Sequence, residues 1–391
     1  MERPSRPLRV ALNLVFLNER SGGVGRYARE LVPALLRVEP SARITAFASS
    51  ELPADVRRSA WACEVQWVTL PVRTSGGQPG SFAAATAAQW LALPLDACRR
   101  GVDVVHGLAN VAPLWMPRAA RVVTLLDLIW LHFPSALEPA AARGMRRVAL
   151  PSVRRADRVL AISHAARADM IAKLGLSAAH VDVTPLGVGE AEIRSNPTAP
   201  AELRRRLGLR DEPIVATVSA GMEHKNLPRL VRAFAAVRRR PCALVIAGDL
   251  SRQEHELRAL ASARGIADRV LMPGWLSGED LEGLYRSATC FVAPSLMEGF
   301  GLPVLEAMMR RVPVACSSTS AIGEVAGNAA ELFAPDSESQ ITAALDRLLD
   351  DPARREELIQ LGAERCSLFT WEETARATLR SYRRALRGRS G

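Results

Sequence analysis

Short apolar runs rich in β-branched residues recur along this chain, separated by longer stretches whose apolar residues repeat at helical spacing. The runs predict strands over residues 8–14, 44–48, 65–70, 102–107, 121–127, 158–163 and 181–189. The alternation restarts after a linker at 190–200, with strands over 213–219, 242–249, 270–275, 290–293 and 312–318. Helices are expected from the glycine loop at Ser21 through Leu36, in an alanine-rich stretch interrupted by Pro94 and ending near Arg99, from His164 onward, and over 279–288, 338–349, 352–365 and 371–387. A glycine-containing loop is expected at 323–327. This β/α rhythm predicts two doubly wound parallel-sheet domains of Rossmann-like form with a cleft between them. A chain of 391 residues is also long for one core.

Composition adds little to that picture and removes several functions from it. Hydrophobic content of 48% fits a soluble globular protein, and no run approaches the roughly 18 apolar residues needed to span a bilayer. The charged N-terminus is followed by no signal-peptide pattern, so a cytoplasmic location is expected. Six scattered cysteines without a C-x-x-C pair read as reduced thiols, and no metal-ligand cluster appears. The net charge of +10 comes mostly from arginine and suits an anionic partner, although it also fits compositional bias. No zinc-finger, helix-turn-helix or aromatic-on-strand signature points to nucleic acid. Arg143, Arg146, Arg147, Arg154, Arg155 and Arg158 form a basic segment that, on a helix, is either a solvated face or a peripheral contact with an anionic membrane.

The most informative stretch runs from Pro294 to Met308. A strand ends at Pro294, Gly299 and Gly301 punctuate a tight loop, and Pro303 falls where the first turn of a helix tolerates proline. Backbone N–H groups of such a loop, backed by the positive end of the helix dipole, make an anion site suited to a diphosphate. Glu298 precedes the Gly299-Phe300-Gly301-Leu302 turn and Glu306 follows it. Ionised carboxylates there can each accept hydrogen bonds from neighbouring sugar hydroxyls. Lys225, at another strand-to-helix junction, supplies a point charge for a leaving diphosphate, and Asn226 can cap the helix that follows. His106 and Asp127 end two strands, where open α/β sheets bind ligands; a histidine there is also an ordinary structural hydrogen-bonder. The Gly22-Gly23-Val24-Gly25 loop lacks the last glycine of a dinucleotide fingerprint, and no acidic residue follows where a ribose partner belongs. A Rossmann dehydrogenase is therefore rejected.

A Glu, seven residues containing Gly-Phe-Gly, and a second Glu resemble the nucleotide-sugar signature of the retaining glycosyltransferases of family four, which have the GT-B fold. The resemblance covers most of the chain, from Gly22 to Trp371. It implies that Glu306 holds the donor ribose, that Glu298 holds the transferred sugar, and that Lys225 and the loop around Gly299 to Leu302 hold the diphosphate. It places Ser219 and Gly23 on the donor side and the nucleobase near Gly274. Arg26 and Tyr27 become acceptor-side candidates, unless they only start their helix. The 74–81 loop becomes a mobile segment that touches the acceptor. The domains implied are 1–189, to which a final helix at 371–391 crosses back, and 190–370. Transfer of a hexose from a nucleoside diphosphate sugar to an acceptor hydroxyl is expected, with retained configuration and without a metal or other cofactor.

The chain departs from the family pattern at several positions. Leu126 stands before Asp127 where the family has histidine, and leucine neither donates a hydrogen bond nor carries a proton. His132 is a possible substitute. Ser219, Ala220 and Gly221 occupy the place of a basic partner of Lys225, His224 replaces a common arginine, and Arg311 stands where glycine is usual. A sugar-nucleotide epimerase of the same fold and a non-catalytic nucleotide-sugar-binding protein therefore remain open alternatives.

Overall fold

The computed structural model describes residues 6–19, 21–74, 79–136, 139–189, 196–239 and 241–390. Part of the expected 74–81 loop and part of the 190–200 linker lie outside the described residues. The chain divides into two compact units. One comprises Met1–Leu128, Leu137–Gly187 and Trp371–Gly391, and the other Ile129–Ala136 and Val188–Thr370. The short segment Ile129–Ala136, which the sequence reading leaves in the first domain, thus groups with the second unit.

In the first unit β1 (Arg9–Leu14), β2 (Arg43–Ser49), β3 (Gln66–Leu70), β4 (Val104–Gly107), β5 (Ala120–Leu125), β6 (Arg158–Ala161) and β7 (Val181–Val183) form a parallel sheet in the order β3-β2-β1-β4-β5-β6-β7. Apolar residues fill both faces of its central strands, as a sheet covered by helices on both sides requires. The Trp371–Ser390 helix belongs to this unit. Its Ser381 and Arg384 side chains, at 2.6 Å each, join Arg158 on the largely buried Asp182 carboxylate. Burial opposes the charge of Asp182, but these bonds prevail and hold its pKa below the ordinary carboxylate value.

In the second unit β8 (Ile214–Val218), β9 (Ala243–Ala247), β10 (Val270–Gly274), β11 (Cys290–Ala293), β12 (Val314–Ser317) and β13 (Ala330–Phe333) form a parallel sheet in the order β10-β9-β8-β11-β12-β13. Strand order reverses between β8 and β11, so the loops leaving these two strands diverge and open a crevice at their C-terminal ends. The sequence reading misses β13, whose Glu331 interrupts an already short apolar run. In the structure Arg347 and Arg354 neutralise that buried carboxylate, at 2.9 and 2.5 Å. The loop expected at 323–327 is instead mostly the helix Ser320–Ala326. Among the described residues no helix is long and apolar enough to cross a membrane.

Candidate functional site

Two loops at the reversal point of the second sheet build the site. After β8 the chain passes Ser219, whose N–H donates to Ala247 O at 2.8 Å. It then makes a tight 3-10 turn, Glu223–Lys225. Asn226 follows with φ +59, in the left-handed region. Its side chain does not cap the next helix as expected. Its amide instead donates to Pro294 O at 3.0 Å and to Pro335 O at 2.7 Å, so it ties the lysine turn to the end of β11.

After β11 the loop brings Glu298 back toward that turn. Lys225 Nζ donates to Glu298 Oε1 at 2.5 Å, and Ser295 Oγ donates to the same oxygen at 2.8 Å. Burial alone raises the Glu298 carboxyl pKa, but the Lys225 charge and hydrogen bond, helped by His224 and Ser295, outweigh it and leave the group below its ordinary value. Gly301 has φ +101, and a Cβ there lies 2.9 Å from Ile322 Cγ1, so glycine is required both for conformation and for space. The Leu302–Met309 helix starts next with Pro303 in its first turn and no side-chain cap, leaving its positive end turned to the loop. Ser219, Lys225, Glu298 and Gly301 line one small pocket together with Thr217 and Pro303.

The other donor-side candidates lie around this pocket without lining it. Glu306, 9% exposed, sits in the second turn of the helix and accepts a 2.9 Å hydrogen bond from Tyr285 Oη. Phe300 packs its ring edge-to-face on Phe369, centroids 5.7 Å apart, which turns the side chain into the core and leaves its backbone to any ligand. Gly299 and Leu302 are buried. Gly274, with φ +77, closes β10 and accepts from Gly248 N–H at 2.9 Å. His224 is buried beside Lys225, and burial followed by the lysine charge lowers its pKa to about 4, so it is neutral at pH 7. Arg311 has φ +59, the geometry that suits the usual glycine. It meets Glu356 at 3.6 Å on the surface, with its side chain 68% exposed.

The first unit corrects two assignments. His106 is 0% exposed, and both ring nitrogens are engaged, Nδ1 with Tyr382 Oη at 2.7 Å and Nε2 with Thr124 Oγ1 at 2.8 Å. Burial lowers its pKa to about 3, so it is a neutral core residue with no face for a substrate. Tyr27 is likewise fully buried, with its hydroxyl 3.0 Å from Thr124 Oγ1 and its ring against Trp371. The chain Tyr382, His106, Thr124, Tyr27 therefore fastens the first and last helices of the unit to β4 and β5, and Tyr27 is not an acceptor-facing residue. Arg26 is half-buried at the start of the second turn of Gly22–Val38, near enough to Glu30 to oppose the effect of burial on that carboxyl. Gly23 is exposed, and a Cβ there meets no atom within 4 Å. Asp127 and Leu126 are half-buried just past β5, and His132 is exposed.

One residue that sequence reasoning passed over reaches into the site. Ser320, at φ +60, donates its hydroxyl to Glu298 O at 2.8 Å and accepts from Glu298 N–H at 3.1 Å. No local pattern announces a partner 22 residues away.

Comparison with known proteins agrees with this geometry. Residues 201–365 match the family model Glycosyl transferases group 1, and residues 21–192 match Glycosyltransferase Family 4. The O-antigen chain mannosyltransferase B of Escherichia coli is 39% identical over 110 residues, covering 28% of this chain and 29% of that protein. The matches to the first curated relatives span less than half of each relative's length. Sucrose-phosphate synthase from Thermosynechococcus elongatus shares the fold with a TM-score of 0.76 at 23% identity, over 96% of this chain and 98% of that one. Anabaena HepE, solved in complex with UDP and glucose, gives 0.73 at 18% identity, over 96% and 99%. Both units are Rossmann-like, and the fold is GT-B. With a strand-reversal crevice in the second unit holding the Glu298 and Lys225 motifs, and with family models matched over both units, the chain belongs to the family 4 glycosyltransferases.

Proposed function

We propose that this chain transfers a hexose from a nucleoside diphosphate sugar to an acceptor hydroxyl with retention of configuration. The observation that carries the proposal is the Lys225–Glu298 pair beside the uncapped start of the Leu302–Met309 helix. A lysine has three N–H donors, and one is engaged by Glu298, so the others can meet a diphosphate. Negative charge grows on that diphosphate as the glycosidic bond breaks, and a fixed ammonium with a helix N-terminus stabilises it there more than in the ground state. Glu298, kept ionised by Lys225, accepts hydrogen bonds from the transferred sugar, and Glu306, steadied by Tyr285, from the ribose. Because these groups already supply the positive charge, the donor is expected to bind without a metal.

A mannosyltransferase among the relatives and UDP with glucose in a structure of the same fold support the donor class, not a particular base or sugar. Asp127 remains the first unit's candidate beside the reacting centre, with Gly23 on the donor side and Arg26 on the acceptor side. Leu126 in the family histidine's place and the burial of His106 favour, as a second reading, a protein that binds the donor without turnover. The experiment that separates the two incubates purified protein with UDP-, GDP- and dTDP-hexoses and hydroxyl acceptors, then follows nucleoside diphosphate release and the anomeric configuration of any product by NMR. A new glycoside with the donor's configuration supports the transferase. Conversion of the donor without any acceptor indicates an epimerase, and tight binding with no product indicates the non-catalytic reading.

Peripheral contact with an anionic membrane is part of the proposal. The helix Pro139–Arg155 contains no Asp or Glu, and its Arg143, Arg146, Arg147, Arg154 and Arg155 are exposed, with no acidic partner among the described residues. Spacings of three, four and seven along a helix put Arg143, Arg146, Arg147 and Arg154 on one side, where each contributes about 1 kcal/mol at an anionic surface.

A further inference from the structure

We propose that Ser320 is a positioning residue for Glu298, an inference that rests on the donor-site reading above. A serine with φ +60 holds its backbone in the strained left-handed region, and glycine relieves that strain. The hydroxyl offsets it through two hydrogen bonds, donating to the carbonyl of Glu298 at 2.8 Å and accepting from its N–H at 3.1 Å. Both polar groups of one residue's backbone are held by a single side-chain oxygen. The peptide planes on either side of the Glu298 Cα are thereby fixed, and with them the direction of its Cα–Cβ bond.

Neighbouring groups complete the clamp. Leu296 N–H donates to His224 O at 2.7 Å, and Thr319 Oγ1 approaches Leu296 O at 3.4 Å. Ser295 and Lys225 then take the carboxylate itself. Ser320 is the link between the Ser320–Ala326 helix and the residue that faces the sugar. Its hydroxyl is spent on Glu298 rather than on the start of its own helix, which has no side-chain cap. A carboxylate displaced by about 1 Å loses on the order of 100-fold in rate, so the clamp acts on turnover more than on donor affinity.

The test uses Ser320→Gly, which removes the hydroxyl while relieving the backbone, and Ser320→Ala, which removes it and keeps the strain. Expected for Ser320→Gly is a melting temperature equal to or above that of the natural protein, nucleoside diphosphate affinity within about twofold, kcat lower by about tenfold or more, and donor KM little changed. Ser320→Thr, which keeps the hydroxyl, recovers part of the kcat if it folds. Amide hydrogen exchange of the segment 296–300 supplies a readout independent of turnover, and it is expected to rise by about tenfold in both Ser320→Gly and Ser320→Ala. A Ser320→Gly protein with natural kcat, or with unchanged exchange at Glu298, overturns the proposal. A natural protein that binds no nucleoside diphosphate, alongside raised exchange in the variants, overturns the donor-site reading and leaves the clamp standing.

Discussion

Lys225 Nζ and Glu298 Oε1 lie 2.5 Å apart although 73 positions separate them in sequence, because their loops leave adjacent strands at the point where the second sheet reverses its order. The pair is more than a surface bridge. Both side chains are largely covered, and the lysine overcomes the effect of burial on the glutamate. The glutamate therefore depends on the lysine to stay ionised.

Replacing Lys225 with alanine is expected to lower kcat by about 10²–10³, the cost of removing one donor aimed at developing charge. Glu298 is then left buried without its cation, and its pKa rises. Because the natural carboxyl pKa is depressed, its stabilising contribution is present above the unfolded value of 4.5 and is lost as pH falls through the lower folded value. Denaturant unfolding between about pH 7 and pH 3 is expected to show that acid-sensitive contribution in the natural protein and to lose most of it in Lys225→Ala. An alanine variant with full turnover removes Lys225 from the mechanism.

His106 gives a pH dependence of separate origin. Its pKa is about 3 when folded and 6.5 as the reference, so the unfolded chain binds the proton more readily. The contribution is complete above pH 6.5 and is lost progressively as pH falls toward 3, with a slope of up to about 1.4 kcal/mol per pH unit. His106→Gln is expected to flatten that slope between about pH 6.5 and pH 5 while leaving nucleotide affinity unchanged. Urea midpoints measured across the range provide the check, and equal slopes in both proteins contradict the assignment.

Arg311 occupies a left-handed backbone position, and among the described residues its side chain gains only an exposed pair with Glu356. Arg311→Gly is expected to stabilise the protein by about 0.5–1 kcal/mol, equivalent to about 2–4 °C in Tm for a unit of this size. Calorimetry decides the matter, and a lower Tm means that the lost arginine interactions outweigh the relief of backbone strain.

The arginine face of Pro139–Arg155 is expected to bring the protein down with phosphatidylglycerol vesicles and not with phosphatidylcholine vesicles. Replacing Arg143, Arg146 and Arg147 with glutamine is expected to weaken that sedimentation by about tenfold or more. Equal sedimentation of the variant and the natural protein contradicts the membrane contact and leaves a solvated helix face.

The β/α rhythm and the glycine-bearing loops were legible because they are local. An apolar strand such as Cys290–Ala293 announces itself, and Gly301 and Pro303 fix what can follow it. What escaped depends on partners distant in sequence. Glu331 hides β13 until Arg347 and Arg354 neutralise it, and Ser320 reads as an ordinary loop serine until Glu298 folds against it. His106 and Tyr27 stand at positions where ligands are often bound. The Tyr382 hydroxyl, 276 residues beyond His106, and the Thr124 hydroxyl together commit the histidine to the interior. Asn226 matches the sequence of a helix cap, yet its amide N–H groups are drawn to Pro294 O and Pro335 O, and its oxygen accepts from the Arg229 side chain rather than from the helix N–H groups.

The most direct measurement of the central claim is calorimetric titration of UDP, GDP and dTDP into the purified protein, with EDTA present, followed by the same titrations on Lys225→Ala. Binding of one nucleoside diphosphate without metal, weakened by about tenfold or more in the variant, is the expected result and names the donor base. No binding of any of the three, or equal binding by the natural protein and the variant, contradicts the Lys225–Glu298 donor site.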